Sequence, residues 1–224
     1  MGAPIDFYFD FISPYAHLAF PEVIRLSERF ERPLVPKPIV FGAILDHHGQ
    51  LGPAEIPAKR TYTFKNVLRL AAARGRALTP PPTHPFNPLL SLRVCLAVED
   101  PDARVRLVGK LFSAVWGPEG PGVTDGAEIA RLADEVGLPG ARLVRAAGDA
   151  SVKQALKSMT AEAIARDVFG VPTIIVDGEL FWGLDAMPHV AQFLAGNDPF
   201  DPAALERWRD LPVGIQRKRR PPGS

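Results

Sequence analysis

Ser13 and Pro14 directly follow a strongly alternating stretch of the sequence, at a point where a strand would turn into a helix. Serine is a favoured helix N-cap, and proline suits the first helical position because its missing N–H would have no partner there. A helix N-terminus also presents free N–H groups and a partial positive charge, which together stabilise a bound anion. Ser13 is therefore either a helix cap alone or a cap whose hydroxyl also donates a hydrogen bond to an anion.

Val171 and Pro172 form a second candidate site, because Gly170 precedes them and a strand-like run follows. Such a proline is commonly no more than a turn. If the bond between Val171 and Pro172 is cis, however, the Val171 backbone turns toward the corner that carries Ser13. The N–H and C=O groups of Val171 would then pair with the backbone of a bound peptide.

Asp185 and Lys59 carry the charges that a peptide-like ligand requires. Asp185 follows an aromatic run and precedes an apolar stretch. It therefore either caps the next helix or, with nearby backbone N–H groups, holds the charged amino-acid end of a ligand. Lys59 lies on an amphipathic segment, where it is either solvated or paired with a carboxylate of the same ligand.

Two alternating segments and one helical segment open the chain. Apolar residues recur at every second position of residues 5–11, and this period of two predicts a strand. Residues 15–30 carry apolar side chains at helical spacing, which predicts a helix after the turn at Ser13. Residues 34–40 then predict a second strand, and the prolines within it confine that strand to an edge of the sheet or to pairing on one side.

The period of two returns near the end of the chain. Residues 173–176 and 179–182 flank Asp177 and Gly178, a turn pair that favours a β-hairpin. A final helix is predicted over residues 186–194.

From residue 41 to residue 169 the apolar pattern is helical throughout, and Gly137 is a candidate helix C-cap. The amphipathic segments that predict helices are residues 59–73, 89–99, 102–116, 127–136 and 151–168.

The order β-α-β, helical block, β-β-α is the thioredoxin layout with an all-helical insertion, so the predicted fold class is α/β. The predicted units are a discontinuous thioredoxin-like domain, a helical insertion domain and a partly flexible C-terminal extension, at residues 1–40 with 166–200, 41–165 and 201–224.

Sulfur is missing from the corner where thioredoxin-like folds carry a reactive cysteine. The single cysteine, Cys95, lies among apolar residues of a predicted helix and is interpreted as a buried apolar side chain. One cysteine excludes an internal disulfide, a C-x-x-C redox pair and a cysteine-cluster zinc site. A thiolate beside Ser13 would therefore come from a ligand.

Several short motifs, in a fixed order, resemble those of the 2-hydroxychromene-2-carboxylate isomerases. That family belongs with the kappa-class glutathione transferases to the DsbA-like branch of the thioredoxin superfamily. The similarity extends from about residue 5 to residue 194. The motifs that carry it are residues 6–15, 57–62, 114–117, 169–173 and 179–185.

The resemblance implies a glutathione-dependent enzyme that forms a homodimer. Ser13 would activate the glutathione sulfur, Val171 and Pro172 would bind the peptide backbone, and Asp185 would bind the γ-glutamyl end. Lys59 matches a lysine of the family's cleft.

Three positions near the implied glutathione site depart from the family pattern. The family often has an asparagine near Gln50, and a polar residue where Leu184 stands before Asp185. The family also has an arginine where Ala186 follows. Gln50 and Leu184 are still predicted to contact glutathione, but the polar groups they offer differ from those of the family.

The resemblance also implies a small aromatic keto-acid substrate, with Tyr15, His84, Asn87 and Trp116 as candidate contacts. Trp116 has a second interpretation as a core residue. In the family's reaction the thiolate adds reversibly to the ring-opened keto acid, which gives a single bond that rotates before the thiolate leaves. The reaction interconverts 2-hydroxychromene-2-carboxylate and its trans product, o-hydroxybenzylidenepyruvate, with no net redox change.

Three other functions compete with the isomerase interpretation. A kappa-like glutathione transferase would conjugate glutathione to an electrophile and release a stable thioether. A thiol-disulfide oxidoreductase is disfavoured because the chain lacks a cysteine pair. A non-catalytic module that binds glutathione or a peptide is a third alternative.

Composition limits the partners and the surroundings of the protein. The 224 residues include 26 basic and 25 acidic side chains, and a net charge of +1 argues against general nucleic-acid binding. No apolar run reaches the length of a membrane helix, and no basic region precedes an apolar run at the N-terminus, so a cytoplasmic protein is expected. Residues 46–48 (Asp-His-His) are interpreted as a solvated loop without a metal, and the basic run at 217–220 as a disordered tail.

Overall fold

The computed structural model describes residues 2–118, 120 and 122–215, so the basic run at 217–220 lies outside the described residues. Its four strands are β1 (Ile5–Phe9), β2 (Leu34–Pro38), β3 (Thr173–Val176) and β4 (Glu179–Trp182). They form one sheet in the order β2–β1–β3–β4. β2 runs parallel to β1, whereas β3 is antiparallel to β1 and β4 is antiparallel to β3.

β1 is a central strand that is buried on both faces. Phe7 and Phe9 enter the main apolar core, where the Phe9 ring centroid lies 5.4 Å from that of Phe112. Tyr8, on the opposite face, packs in a smaller apolar cluster that includes Ile44. The predicted alternation along β1 therefore separates two buried layers.

Both predictions made from turn and proline chemistry are confirmed. β2, which contains Pro36 and Pro38, lies at an edge of the sheet, where a strand needs donors on one side only. Asp177 and Gly178 link β3 to β4 with φ values of 51° and 88°. Two successive positive φ values are what a two-residue hairpin of the favoured twist requires.

Ten α-helices are found in the described part of the chain. They are α1 (Pro14–Arg29), α2 (Phe41–His48), α3 (Pro57–Ala72), α4 (Leu89–Ala97), α5 (Pro101–Trp116), α6 (Gly126–Glu135), α7 (Gly140–Ala146), α8 (Ala150–Ala165), α9 (Met187–Leu194) and α10 (Pro202–Arg209). The predicted helices match these within a few residues, and Gly137 follows α6 with a φ of 79°, as its C-cap role requires.

Three helices were not predicted individually, namely α2, α7 and α10. The loop interpretation of residues 46–48 is wrong, because these residues form the end of α2, which Gly49 terminates in the left-handed region. α10 buries no residue and leaves Trp208 68% exposed, so it lacks the apolar face that sequence periodicity detects.

Helices α2–α8 lie between β2 and β3 in the chain, as the predicted β-α-β … β-β-α framework with an all-helical insertion requires. The main apolar core is continuous across both parts. Phe112 of α5, for example, packs against Phe9 of β1 and Phe20 of α1. The division into domains at residues 40 and 166 stays a prediction. Within the described ranges, no helix has the length and apolar character needed to cross a membrane.

Candidate functional site

Ser13 caps the N-terminus of α1 and faces the loop before β3. Its Oγ accepts a hydrogen bond from the Ala16 N–H at 3.2 Å and donates one to the Val171 carbonyl oxygen at 3.4 Å. The Ser13 side chain is buried, and the first turn of the 16-residue helix contains no acidic residue. The positive end of the helix dipole is therefore not offset locally.

The Val171–Pro172 peptide bond is cis, as the conditional prediction required. The loop that carries it is held by the Gly183 N–H, which donates to the Pro172 carbonyl at 2.9 Å, and by the Thr173 hydroxyl, which donates to the Gly170 carbonyl at 2.8 Å. Within residues 2–118, 120 and 122–215, no hydrogen-bond acceptor is found for the Val171 N–H. That N–H is available to a ligand beside Ser13.

Asp10 holds the turn between β1 and α1 from inside the protein. Its carboxylate accepts hydrogen bonds from the Ile12 N–H at 3.1 Å and the Phe41 N–H at 3.0 Å. Its backbone carbonyl accepts the Ser13 N–H at 3.1 Å. Asp10 therefore fixes the backbone that presents the Ser13 hydroxyl, a role that the alternating strand pattern did not reveal.

Burial raises the pKa of the Asp10 carboxyl from 3.8 to about 6, and hydrogen bonds from backbone N–H groups only partly offset the effect. The native state thus keeps a proton that the unfolded state releases between about pH 4 and pH 6. The stability linked to Asp10 is present below about pH 4 and is lost as the pH rises through 6. His17 acts in the opposite direction, because its burial lowers the pKa to about 4.

A comparison of wild type with Asp10→Asn at several pH values should isolate the contribution of Asp10 to stability from that of His17. The difference in the free energy of unfolding, wild type minus variant, should fall by roughly 3 kcal/mol between about pH 4 and pH 7, at about 1.4 kcal/mol per pKa unit. The contribution of His17 cancels in this difference. Urea unfolding across that range measures it, and a difference independent of pH would contradict the buried-acid assignment.

Two side chains of the helical insertion also form hydrogen bonds to the turn between β1 and α1. The Trp116 Nε1–H donates to the Phe11 carbonyl at 2.9 Å, and His84 Nε2 lies 3.0 Å from the Ile12 carbonyl. A carbonyl only accepts, so His84 carries its proton on Nε2 and leaves Nδ1 as an acceptor. The His84 and Trp116 rings also contact each other, with centroids 5.6 Å apart.

Trp116→Phe is expected to destabilise the protein by about 1–3 kcal/mol, because the buried Phe11 carbonyl loses its donor. Trp116 is only 2% exposed, so water cannot readily replace the indole N–H. Trp208→Phe is the matched control, and it should change the free energy of unfolding by less than about 0.5 kcal/mol. Equal effects of the two substitutions in denaturant unfolding would contradict this role of Trp116.

Tyr15 and His84 border the turn with distinct polar groups. The Tyr15 hydroxyl accepts a hydrogen bond from Asn66 Nδ2 at 3.1 Å, which leaves the hydroxyl proton free to donate. His84 Nδ1 is buried without a hydrogen-bond partner among the described residues, and burial lowers the His84 pKa. Asn66 was not predicted, since a single asparagine on a helix carries no distinctive sequence signal.

Gln50, Lys59 and Asn87 lie on exposed positions. Asn87 Oδ1 accepts the Leu89 N–H at 3.0 Å, so its side chain caps the start of α4. No hydrogen bond joins any of these three side chains to Ser13 in the described part of the chain. Their contacts with a ligand stay predictions.

Leu184 and Asp185 lie in a short 3₁₀ turn between β4 and α9. The Leu184 side chain is buried in the main core, so a ligand would reach only its backbone. Asp185 is exposed, and Ala186 occupies the N-cap position of α9 without a side-chain hydrogen bond. The helix-cap interpretation of Asp185 is therefore wrong, whereas its contact with a ligand stays a prediction.

The described residues provide neither a cluster of metal ligands nor an accessible thiol. No group of three or more His, Cys, Asp or Glu side chains is arranged there to hold a metal ion. Cys95 is fully buried on α4, and burial raises the pKa of its thiol far above the usual range. The interpretation of Cys95 as a buried apolar side chain is confirmed.

The corner at Ser13 fits a thiol-bearing peptide such as glutathione. The N-terminus of α1 favours a negative sulfur, and the Ser13 hydroxyl lies where it can donate to that sulfur. The unpartnered Val171 N–H beside it is a donor for a peptide carbonyl.

Comparison with known proteins agrees with the geometry. The model of the DSBA-like thioredoxin domain matches residues 4–195. The 2-hydroxychromene-2-carboxylate isomerase of Sphingobium xenophagum is 28% identical over 196 residues, covering 87% of this chain and 99% of that protein. Glutathione S-transferase kappa 2 of Caenorhabditis elegans is 27% identical over 212 residues, covering 88% and 92%.

Solved structures give the same fold. A structure of 2-hydroxychromene-2-carboxylate isomerase superposes with a TM-score of 0.80 at 22% sequence identity, over 92% of this chain and 98% of that one. The predicted resemblance and the predicted thioredoxin-like fold are both confirmed. This chain belongs to the family of DSBA-like thioredoxin domains.

Proposed function

We propose that this protein is a glutathione-dependent isomerase that interconverts 2-hydroxychromene-2-carboxylate and trans-o-hydroxybenzylidenepyruvate, or a closely related aromatic keto acid. One observation carries the proposal: the Ser13 hydroxyl stands at the N-terminus of α1, 3.4 Å from the Val171 carbonyl, in a corner without cysteine. Similarity to isomerases over 87% of the chain supports the same reaction class.

Glutathione, when bound, supplies the thiolate that adds reversibly to the conjugated double bond of such an acid. The protein's own contribution is to keep a negative sulfur stable. The bond from the Ser13 hydroxyl to Val171 is near the upper distance limit, so it is weak and is readily exchanged for a bond to a ligand. The Ser13 oxygen still accepts the Ala16 N–H after this exchange, so the helix cap is retained.

The remaining groups of the site orient the ligands. The Val171 N–H donates to the glutathione backbone, Asp185 pairs with the γ-glutamyl ammonium, and Lys59 pairs with a carboxylate. On the substrate side, the Tyr15 hydroxyl donates a hydrogen bond to an oxygen of the keto acid, and the His84 ring borders the same turn.

A kappa-like glutathione transferase is the second candidate. Glutathione S-transferase kappa 2 matches this chain with almost the same identity and coverage as the isomerases. Both activities place a thiolate beside the same hydroxyl, and they differ in whether the carbon–sulfur bond breaks again.

Product analysis with purified protein distinguishes the two reactions. The protein is incubated with catalytic amounts of glutathione and either 2-hydroxychromene-2-carboxylate or a standard electrophile. The isomerase is expected to convert excess keto acid while the glutathione concentration stays constant. Stoichiometric loss of glutathione with a stable thioether would support the transferase, and turnover without glutathione would refute both.

A further inference from the structure

A cavity of about 550 Å³ lies between α1, the segment after α3, α5 and α6. None of the predicted site residues lines it. Its charged and titratable lining residues are His17, Arg76, Lys110, Arg131 and Glu135. A volume in this range suits an organic molecule larger than a simple ion.

Two buried nitrogen atoms of this lining have no hydrogen-bond partner in the described part of the chain. They are Nδ1 of His17, a side chain that is only 7% exposed, and Nη1 of Arg76. Buried polar atoms are nearly always hydrogen-bonded, because leaving one unpaired costs about 1–3 kcal/mol. Both atoms belong to residues that line the cavity, so its lining carries polar side chains that the described residues leave incompletely hydrogen-bonded.

The charge of the cavity points to the kind of ligand. Arg76, Lys110 and Arg131 contribute three positive charges, and Glu135 contributes one negative charge. Glu135 already forms ion pairs with Lys110 and Arg131. Arg76 therefore gains no carboxylate partner from the lining residues that the structure describes.

Glu22 is the acidic residue whose charge acts on Arg76, but it is already paired with another arginine. Glu22 forms its ion pair with Arg74, at 2.6 Å. Burial and the charge of Arg25 lower the pKa of Arg76, whereas the charge of Glu22 raises it, and the net shift is downward. Among the described residues, the guanidinium of Arg76 thus has no ion pair within 4 Å, and an anion would stabilise it.

We propose that this cavity binds an organic anion whose carboxylate or phosphate group accepts hydrogen bonds from the guanidinium of Arg76, close to the His17 ring. The guanidinium presents a planar set of N–H donors that matches either group. This binding site is distinct from the corner at Ser13 and does not depend on the proposed function.

Calorimetric titration with phenyl phosphate, benzoate and phenol tests the proposal. Wild type is expected to bind one or both anions saturably and to bind neutral phenol at least tenfold more weakly. Arg76→Gln should weaken anion binding at least tenfold, whereas Arg69→Gln, which removes an exposed positive charge of α3 outside the cavity, should change it less than twofold. The relative affinity of the two anions identifies the preferred group.

Absence of saturable binding, or equal losses in the two variants, would overturn the proposal. A second measurement needs no substitution in the cavity. Nuclear magnetic resonance of the imidazole nitrogens follows wild type during the titration. The His17 signals should shift on anion binding, because the charge of Arg76 contributes, after burial, to the lowered pKa of His17, and a bound anion offsets that charge. A shift of the His84 signal with His17 unchanged would assign the anion to the corner at Ser13 and overturn the proposal.

Discussion

Ser13→Ala is expected to lower glutathione-dependent turnover by about 10- to 100-fold. The hydroxyl would donate one hydrogen bond to a charged sulfur, and such bonds contribute about 1.5–3 kcal/mol, with about 1.4 kcal/mol per factor of ten. The same substitution removes the cap of α1, because Oγ accepts the Ala16 N–H, and should destabilise the protein by about 1 kcal/mol. Steady-state kinetics at saturating glutathione, on protein shown to be folded, measures the loss.

Asp125→Ala separates the two effects of that substitution. Asp125 caps α6 by accepting the Ala127 N–H at 3.0 Å, at a position outside the candidate site. The control variant should lose similar stability and keep its turnover. If Ser13→Ala retains full turnover, or if Asp125→Ala loses as much, the catalytic assignment of Ser13 is wrong.

Asp10→Ala is expected to produce a large loss of stability, about 2–6 kcal/mol. Two backbone N–H groups, those of Ile12 and Phe41, lose a buried acceptor, and each unpaired donor costs about 1–3 kcal/mol. Turnover should fall as well, because the turn that presents Ser13 is no longer fixed. Urea unfolding at about pH 7 gives the first effect and kinetics on the folded fraction gives the second.

Two further variants make this prediction specific. Asp10→Asn keeps a carbonyl acceptor in the same volume, so it should cost less stability than alanine. Asp134→Ala removes a carboxylate that accepts the Gly140 N–H at 2.8 Å, away from the turn. It should reduce stability without changing kcat. A kcat of Asp10→Ala equal to that of wild type would contradict the positioning role.

Local patterns explain what could be predicted about the fold. The alternation through β1, the edge prolines of β2 and the Asp177–Gly178 turn are all short-range signals, and each matches the structure. α10 lacks such a signal because it has no buried face, and α7 spans only seven residues, too few for a clear helical period.

The candidate site was only partly predictable for a related reason. Ser13 and Pro172 were found because their residue types suit a helix cap and a turn. The support of Ser13 is non-local, since Asp10 bonds to Phe41, and Trp116 reaches Phe11 from 105 residues along the chain. No sequence period records contacts of that kind.

These contacts also give the helical insertion a role in the site. His84 and Trp116 belong to the insertion, yet they bond to the carbonyls of the turn that precedes Ser13. A shift of the insertion against the sheet would therefore move the Ser13 hydroxyl. Packing of Phe112 against Phe9 opposes such a shift.

Calorimetry of glutathione binding, in two buffers that differ in ionisation enthalpy, tests most directly whether the sulfur is held as a thiolate. A free thiol with a pKa of about 8.5 is mostly protonated near pH 7, so its ionisation on binding must release a proton. We predict release of a measurable fraction of a proton at about pH 7, less release at about pH 9.5, and reduced release with Ser13→Ala. Binding without proton release at about pH 7, or no binding of glutathione, would contradict the account.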